Sequence, residues 1–320
     1  MNTSIWVDYL DREFLDTTFR EWVNEGVANG LTSNPAIFAN ALKKEVYKED
    51  FEKLKGKSPK EIYEEIAVKD IQKACDILDP LYENGNDGYA SIEVDPRLIN
   101  DTKGTIDEAL RLVDKIKRDN LMIKIPANEA GIKAMQELAK KGININATLV
   151  FSPNQAMQAL EAINKGSGSI EGVISVFVSR FDRKLNPVLK EKNLAQDRVG
   201  FFNAIKIYNQ IEEAGLSNIR ALFASTGVKQ ENLPKDYYVK NLYLPHSVLT
   251  LPLDVIEAIK NEEMEESFHF QTKHIDGFFS FLTPAGINMQ KVYQELFEEG
   301  VEAFEKAFED MLGSLKAVNG

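Results

Sequence analysis

A lysine set inside an apolar strand is the first place in this sequence where chemistry is legible. Lys124 lies in LMIKIP, Leu121 to Pro126, and strand alternation puts it on one face with Met122 and Pro126, leaving Leu121, Ile123 and Ile125 on the other. A cation held among apolar neighbours loses hydration, which favours the neutral amine, and a neutral amine is a nucleophile toward a carbonyl carbon. That chemistry is Schiff-base formation. A strand lysine also has a plainer use, as a charge turned to solvent on an edge strand to block unwanted pairing. The residues brought beside it decide between the two.

Those residues are placed by an alternation of apolar strands and amphipathic helices. Strands read at Ser4–Leu10, at Gly30–Phe38 (ending in a turn marked by Asn34 and Pro35), and at Gly88–Asp95, Leu121–Pro126, Ile143–Phe151, Gly172–Phe181, Ile219–Thr226 and Val239–Pro245. Between them, Leu15, Phe19, Trp22 and Val23 share a face of a helix predicted over Arg12–Val27. Ser58, Pro59 and Glu61 open another as N-cap, N1 and N3; Thr105 with Glu108 forms a capping-box pattern; Asn128 and Ser152–Pro153 open two more. Met289 to Val318 is a long helical pattern with Val292, Leu296, Phe304, Phe308 and Leu315 on its apolar side.

Strands that alternate with helices demand a parallel sheet, and eight such units predict an α/β fold, a closed (β/α)8 TIM barrel with additional helices. A doubly wound open sheet is the alternative. No Gly/Pro/Ser-rich linker divides the chain, so residues 1–320 read as a single domain, with a C-terminal helical extension over about 284–318.

Composition narrows the partners. A chain of 320 residues, 43% hydrophobic, is long enough to bury one large core. Its net charge of −12 disfavours nucleic acid or an anionic membrane, so any phosphate site must be a local concentration of cations. The single cysteine, Cys75, falls in a helical pattern and excludes an internal disulfide or a multi-cysteine zinc site. No basic leader precedes an apolar run, and nowhere do about 18 apolar residues follow one another, so a cytoplasmic location is expected.

In a barrel of this type chemistry gathers at the C-terminal ends of the strands. Polar residues late in apolar strands are Asp8, Asn34, Glu93, Lys124, Asn146, Thr148, Ser175, Arg180 and Ser225. Each alone has an ordinary use: a turn former at Asp8, a helix cap at Asn34, a β-branched strand residue at Thr148, a surface ion pair at Arg180. Their recurrence on strand after strand is unusual, because polar groups inside a barrel are unfavourable unless they satisfy one another around a ligand.

The runs GLTSNPAIF at Gly30–Phe38 and LMIKIPANEAGIKA at Leu121–Ala134 resemble the two characteristic motifs of transaldolases, and SIEVDPRL, INATLVFS, ISVFVSRFD and FASTGVK follow in the expected order. The resemblance spans most of the chain. It implies a barrel enzyme of the non-oxidative pentose phosphate pathway, acting on sugar phosphates without cofactor or metal. It implies that Lys124 attacks the ketose C2 carbonyl, that Glu93 with Thr148 positions the water of carbinolamine dehydration and hydrolysis, and that Asp8 takes the C4 hydroxyl proton. Asn34, Asn146 and Ser175 would hold hydroxyls of the dihydroxyacetone end, and Arg180 with Ser225 the phosphate. The chain departs from the family where Thr226 and Gly227 follow Ser225 in place of a common arginine, which leaves Lys229 as the second cation. It departs again at Leu249, where asparagine is common, and at Asn128, where Ser or Thr is usual.

Three other readings stay open. The related fructose-6-phosphate aldolases release dihydroxyacetone instead of transferring it; they are shorter and usually carry tyrosine where this chain has Phe177, a ring that alternation puts on the Ser175 face and that the transferase reading uses to limit water access. A catalytically inactive sugar-phosphate binder on the same barrel would form no imine. A metal-dependent aldolase would need ligands that His246, His269 and His274 supply poorly, two of them lying in the polar run SFHFQTKH. A monomer or a homodimer is expected, with no nucleic acid or membrane partner.

Overall fold

Eight parallel strands pair in sequence order and close on themselves in the computed structural model, which describes residues 3–166 and 170–318. They are β1 Ser4–Val7, β2 Gly30–Thr32, β3 Tyr89–Glu93, β4 Leu121–Pro126, β5 Asn144–Val150, β6 Gly172–Phe177, β7 Ile219–Ala224 and β8 Ser247–Leu251, with β8 paired to β1. The doubly wound alternative is excluded, because an open sheet has two edges and this one has none. No helix among the described residues is long and apolar enough to cross a membrane.

The helices begin where the capping chemistry puts them. Ser58 and Glu61 form a complete capping box at the head of the helix Pro59–Glu83, and Ser152 with Gln155 does the same for Pro153–Ile163. Asn128 accepts from the Gly131 amide to start Glu129–Ala139. The C-terminal helix runs over Met289–Val318, as its period requires.

Four expectations need correction. The last strand is Ser247–Leu251, not Val239–Pro245; Tyr237–Leu242 is helical, and its buried Tyr238, Val239 and Leu242 follow helical spacing. Strand six stops at Phe177, and Arg180 belongs to the helix Ser179–Glu191. The helix begun by Arg12 passes through a π-helical segment at Leu15–Phe19 and ends at Asn24, just before Gly26 at φ +73°. Asp101, not Thr105, caps Thr102–Ile116 by accepting from the Gly104 amide, while Glu108 reaches back to the Asp95 amide and to Lys60.

Alternation sorts the strand side chains into two apolar sets. Ile123 and Ile125 of β4 join the layer between barrel and helices, which includes Leu31, Ile92, Ile145, Ile174, Phe223 and Leu249. Met122 of the same strand joins Trp6, Val173, Leu222 and Val248 within the barrel. Trp6 fills so much of the interior that a Cβ on Gly30 would stand 2.5 Å from its indole; only glycine fits there. Its Nε1 donates to Asp87 Oδ2 at 2.7 Å, and Asp87 Oδ1 accepts from Arg220 Nη2 at 2.7 Å.

Arg220 is 2% exposed, and its guanidinium is held in apolar surroundings chiefly by Asp87. Removing one charge of a buried pair strands the other, at about 3–5 kcal/mol, whereas replacing both is often close to neutral. Arg220→Met is therefore expected to lower urea-unfolding stability by about that amount, and Arg220→Met with Asp87→Asn by distinctly less. Equal losses in the single and double variants would show that the pair is not the cause.

Candidate active site

Strand register brings the central side chains to one level. Glu93 pairs with Lys124 and Lys124 with Asn146, so β3, β4 and β5 offer a carboxyl, an amine and an amide side by side on the inner face. Lys124 and Glu93 are each 5% exposed. Lys124 Nζ donates to the Ser33 carbonyl at 3.1 Å, stands 3.3 Å from Glu93 Oε2 and lies 5.7 Å from the centre of the Phe304 ring. A closed barrel has no edge strand, so the solvent-facing use of this lysine is ruled out.

The Glu93 carboxyl is unusual in its surroundings. Both oxygens are buried and neither accepts a hydrogen bond, and the nearby-strand hydroxyl of Thr148 is likewise buried without a partner. Buried polar atoms of this kind call for a ligand or water between them. Burial pushes Glu93 up to about 7, against the opposing pull of the Lys124 charge. Asp8, one residue past β1, is also raised by burial, with Lys124 and the Thr32 hydroxyl pulling the other way. Two carboxyls whose proton affinities are raised by burial flank the amine, which is the equipment of proton transfer.

Neighbouring hydroxyls fix the orientation of these groups. Thr32 Oγ1 donates to Asp8 Oδ1 at 2.9 Å and is itself 2.5 Å from Thr250 Oγ1, so β2 and β8 together hold the Asp8 carboxyl. Asn146 donates to Ser91 Oγ at 3.1 Å and accepts from Ser175 Oγ at 2.7 Å. Asn34 has the capping use that its turn suggests, its Oδ1 accepting from the Ile37 amide at 3.0 Å at the head of the helix Pro35–Ala41, and it also faces the site cavity.

That cavity, about 130 Å³, is lined by Asp8, Asn34, Lys124, Ser175, Phe177, Arg180 and Ser225, together with Thr32, Ala224, Thr250 and Phe304. The Arg180 guanidinium stacks 5.0 Å from the Phe177 ring centre, and burial, with Arg183 nearby, lowers its proton affinity. It forms no hydrogen bond or ion pair among the described residues. Ser225 follows β7 in the left-handed region at φ +55°, with Oγ 3.0 Å from Ser179 Oγ. Lys229 does not join this group. Thr226 after Ser225 is still buried, and Lys229 is exposed in a separate cavity of about 450 Å³ with Arg183 and Lys190.

Thr32, Ser91, Thr250 and Phe304 were not legible as site residues. Thr250 lay outside the strand expected to be last, and Phe304 reads in the sequence as one more apolar position of a long helix. The Ser33 contact comes through a backbone carbonyl, which no side-chain pattern reports. Among the described residues no group of three or more His, Cys, Asp or Glu is placed to hold a metal ion. His246 instead meets Glu212 and His269 meets Asn209.

Nearly the whole chain is similar to known proteins. A family model described as Transaldolase/Fructose-6-phosphate aldolase matches residues 5–315. A relative named Transaldolase from Campylobacter jejuni subsp. jejuni serotype O:23/36 (strain 81-176) is 46% identical, with 98% of this chain and 99% of the relative covered. Another named Transaldolase, from Helicobacter pylori (strain Shi470), is 42% identical over 97% of this chain and 98% of the relative. A solved Fructose-bisphosphate Aldolase from Campylobacter jejuni superimposes with a TM-score of 0.44 at 10% identity, covering 97% and 90% of the two chains. With a family model and near full-length relatives in agreement, the chain belongs to the transaldolase/fructose-6-phosphate aldolase family.

Proposed function

We propose that this protein is a transaldolase that carries a dihydroxyacetone unit from a ketose phosphate to an aldose phosphate as a Schiff base on Lys124. The observation that carries the reading is the buried Lys124 amine 3.3 Å from a Glu93 carboxyl that accepts no hydrogen bond, in the barrel that also turns Asp8 and Arg180 toward the same cavity. The fold is a single domain over residues 1–320, and the chemistry needs neither metal nor cofactor. The enzyme would be cytoplasmic and act on sedoheptulose 7-phosphate or fructose 6-phosphate, with glyceraldehyde 3-phosphate or erythrose 4-phosphate as acceptor; the Arg180 cation lining the cavity supports a phosphorylated substrate.

The steps follow from the positions. Lys124 Nζ adds to the C2 carbonyl, and the carbinolamine loses water to give the imine, Glu93 with Thr148 holding that water and passing the proton. Asp8 takes the C4 hydroxyl proton as the C3–C4 bond breaks; the electrons flow into the imine to leave an enamine, and the aldose phosphate departs. An acceptor aldehyde then receives the enamine carbon, Asp8 returns the proton, and hydrolysis frees Lys124. Asn34, Asn146 and Ser175 orient the hydroxyls of the three-carbon unit, Arg180 and Ser225 hold the phosphate, and the Phe177 ring keeps the waiting enamine dry.

Borohydride reduction in the presence of fructose 6-phosphate is expected to fix a three-carbon or six-carbon adduct on Lys124, and Lys124→Arg to fold while losing turnover and adduct, because a guanidinium stays protonated. Peptide mass spectrometry placing the adduct on another lysine, or finding none, would sink the proposal. Arg180→Ala is expected to raise KM for fructose 6-phosphate at least about tenfold while leaving kcat/KM for unphosphorylated fructose nearly unchanged. If both donors weaken alike, Arg180 serves the fold and not the phosphate.

Glu93 also makes a stability prediction with a definite sign. The folded chain holds this proton up to about pH 7, against an ordinary value of 4.5, so its contribution to stability falls as pH rises between the two. Glu93→Gln removes that slope. The Tm of the variant relative to the parent is expected to climb from pH 4.5 to pH 7, and a constant difference across the window would show that Glu93 is not the buried acid described.

A further inference from the structure

Gly300 stands near the middle of the C-terminal helix Met289–Val318, where glycine is a poorer helix former than alanine. Its φ is not left-handed, so backbone conformation does not require it. Space does. A Cβ added to Gly300 would lie 2.9 Å from Leu149 Cδ2, 3.1 Å from Arg180 Nη1 and 3.6 Å from Phe151 Cε2. Gly313 on the same helix has no atom within 4 Å of its added Cβ.

The neighbours differ in how far they can yield. Leu149 is fully buried, sits at the register shift between Ala147 and Val150 of β5, and has φ +54°, a left-handed conformation that a bulky residue keeps only when packing enforces it. Arg180 is the flexible end of a long side chain with no hydrogen bond or ion pair among the described residues to anchor it. The Leu149 contact would have to be taken up by that side chain or by the helix, and the arginine contact by a displacement of the guanidinium of a few tenths of an ångström. One helical turn further on, at i+4 and so on the same face, Phe304 reaches into the cavity over Lys124. Lys184 links the Arg180 helix to this one through Glu295 at 2.9 Å and Glu299 at 2.6 Å.

We infer that Gly300 is a positioning residue for the phosphate site: the missing side chain is what lets the Arg180 guanidinium lie under the C-terminal helix, against Phe177 and facing the cavity. The inference rests on the reading of Arg180 as the phosphate-holding residue. It makes the C-terminal helix a part of substrate selection and not only a cover.

The test compares Gly300→Ala with Gly313→Ala in donor cleavage of fructose 6-phosphate and of fructose. Gly313→Ala is expected to leave both reactions unchanged and to raise Tm. Gly300→Ala is expected to raise KM for fructose 6-phosphate by about fivefold or more, with kcat/KM for fructose held within about twofold. In an Arg180→Ala background the Gly300→Ala effect should vanish, since the group it acts through is gone. If Gly300→Ala fails to fold, Leu149→Ala with Gly300→Ala, read against Leu149→Ala, removes the leucine contact and leaves the arginine one. The inference is overturned if Gly300→Ala leaves fructose 6-phosphate kinetics at the parent level, weakens both donors alike, or keeps its full effect without Arg180. A selective Arg180→Ala beside an unselective Gly300→Ala sinks this inference alone; an unselective Arg180→Ala sinks it together with the phosphate reading.

Discussion

The structure depends on holding one amine and one carboxyl, Lys124 and Glu93, 3.3 Å apart and both buried. Two charges in such a place are stable only when attraction and hydrogen bonds offset the loss of hydration, and Glu93 has no hydrogen bonds. The carboxyl responds by keeping its proton to about pH 7. An environment that is unfavourable for a static ion pair is thus favourable for proton exchange, because neither charge state of Glu93 is strongly preferred near neutrality. Stability and reactivity pull in opposite directions at this pair, and the fold has to supply the difference.

The barrel supplies it by dividing each strand between two tasks. On β4, Leu121, Ile123 and Ile125 bind the barrel to its helices while Met122 and Lys124 face inward, so the apolar burial that holds the strand also fixes the height of the amine. Below the site, Trp6, Met122, Val173, Leu222 and Val248 fill the interior, and Arg220 with Asp87 closes its base. Above it the interior turns polar, and the hydroxyls of Thr32, Thr250 and Ser175 bridge neighbouring strands to orient Asp8 and Asn146. A displacement by two residues along any of these strands would exchange an apolar layer for a polar one.

How much of this was legible in the sequence follows from the range of the interactions involved. β4 was readable to the residue because its alternation, and its single charge, are local. Caps at Ser58, Asn128 and Ser152 were readable for the same reason. The last strand was not, because VKNLYLP and SVLTLP both carry apolar runs and only closure onto β1 selects the second. The error removed Thr250 from view and, with it, half of the Thr32–Thr250 support for Asp8. Lys229 is near Ser225 in sequence, but nearness in sequence does not report that its side chain lines a different cavity, with Arg183 and Lys190.

The C-terminal helix was legible as a helix and illegible as a part of the site. Its apolar stripe is continuous, so Phe304 and Phe308 look alike, yet Phe308 packs on Tyr63 while Phe304 faces Lys124. The distinction arises from what lies beneath each turn. Where the helix crosses the outer helices, Phe308 meets Tyr63, Lys60 and Arg97, and where it crosses the barrel mouth, Phe304 and Gly300 meet Lys124 and Arg180. Over the mouth a large ring covers Lys124, and a glycine one turn earlier leaves room for Arg180; a uniform stripe of large residues would do the first and prevent the second. A low dielectric over the amine and room for the Arg180 guanidinium are conflicting demands on one surface, and the helix meets both only by placing its smallest and one of its largest side chains four residues apart on the same face.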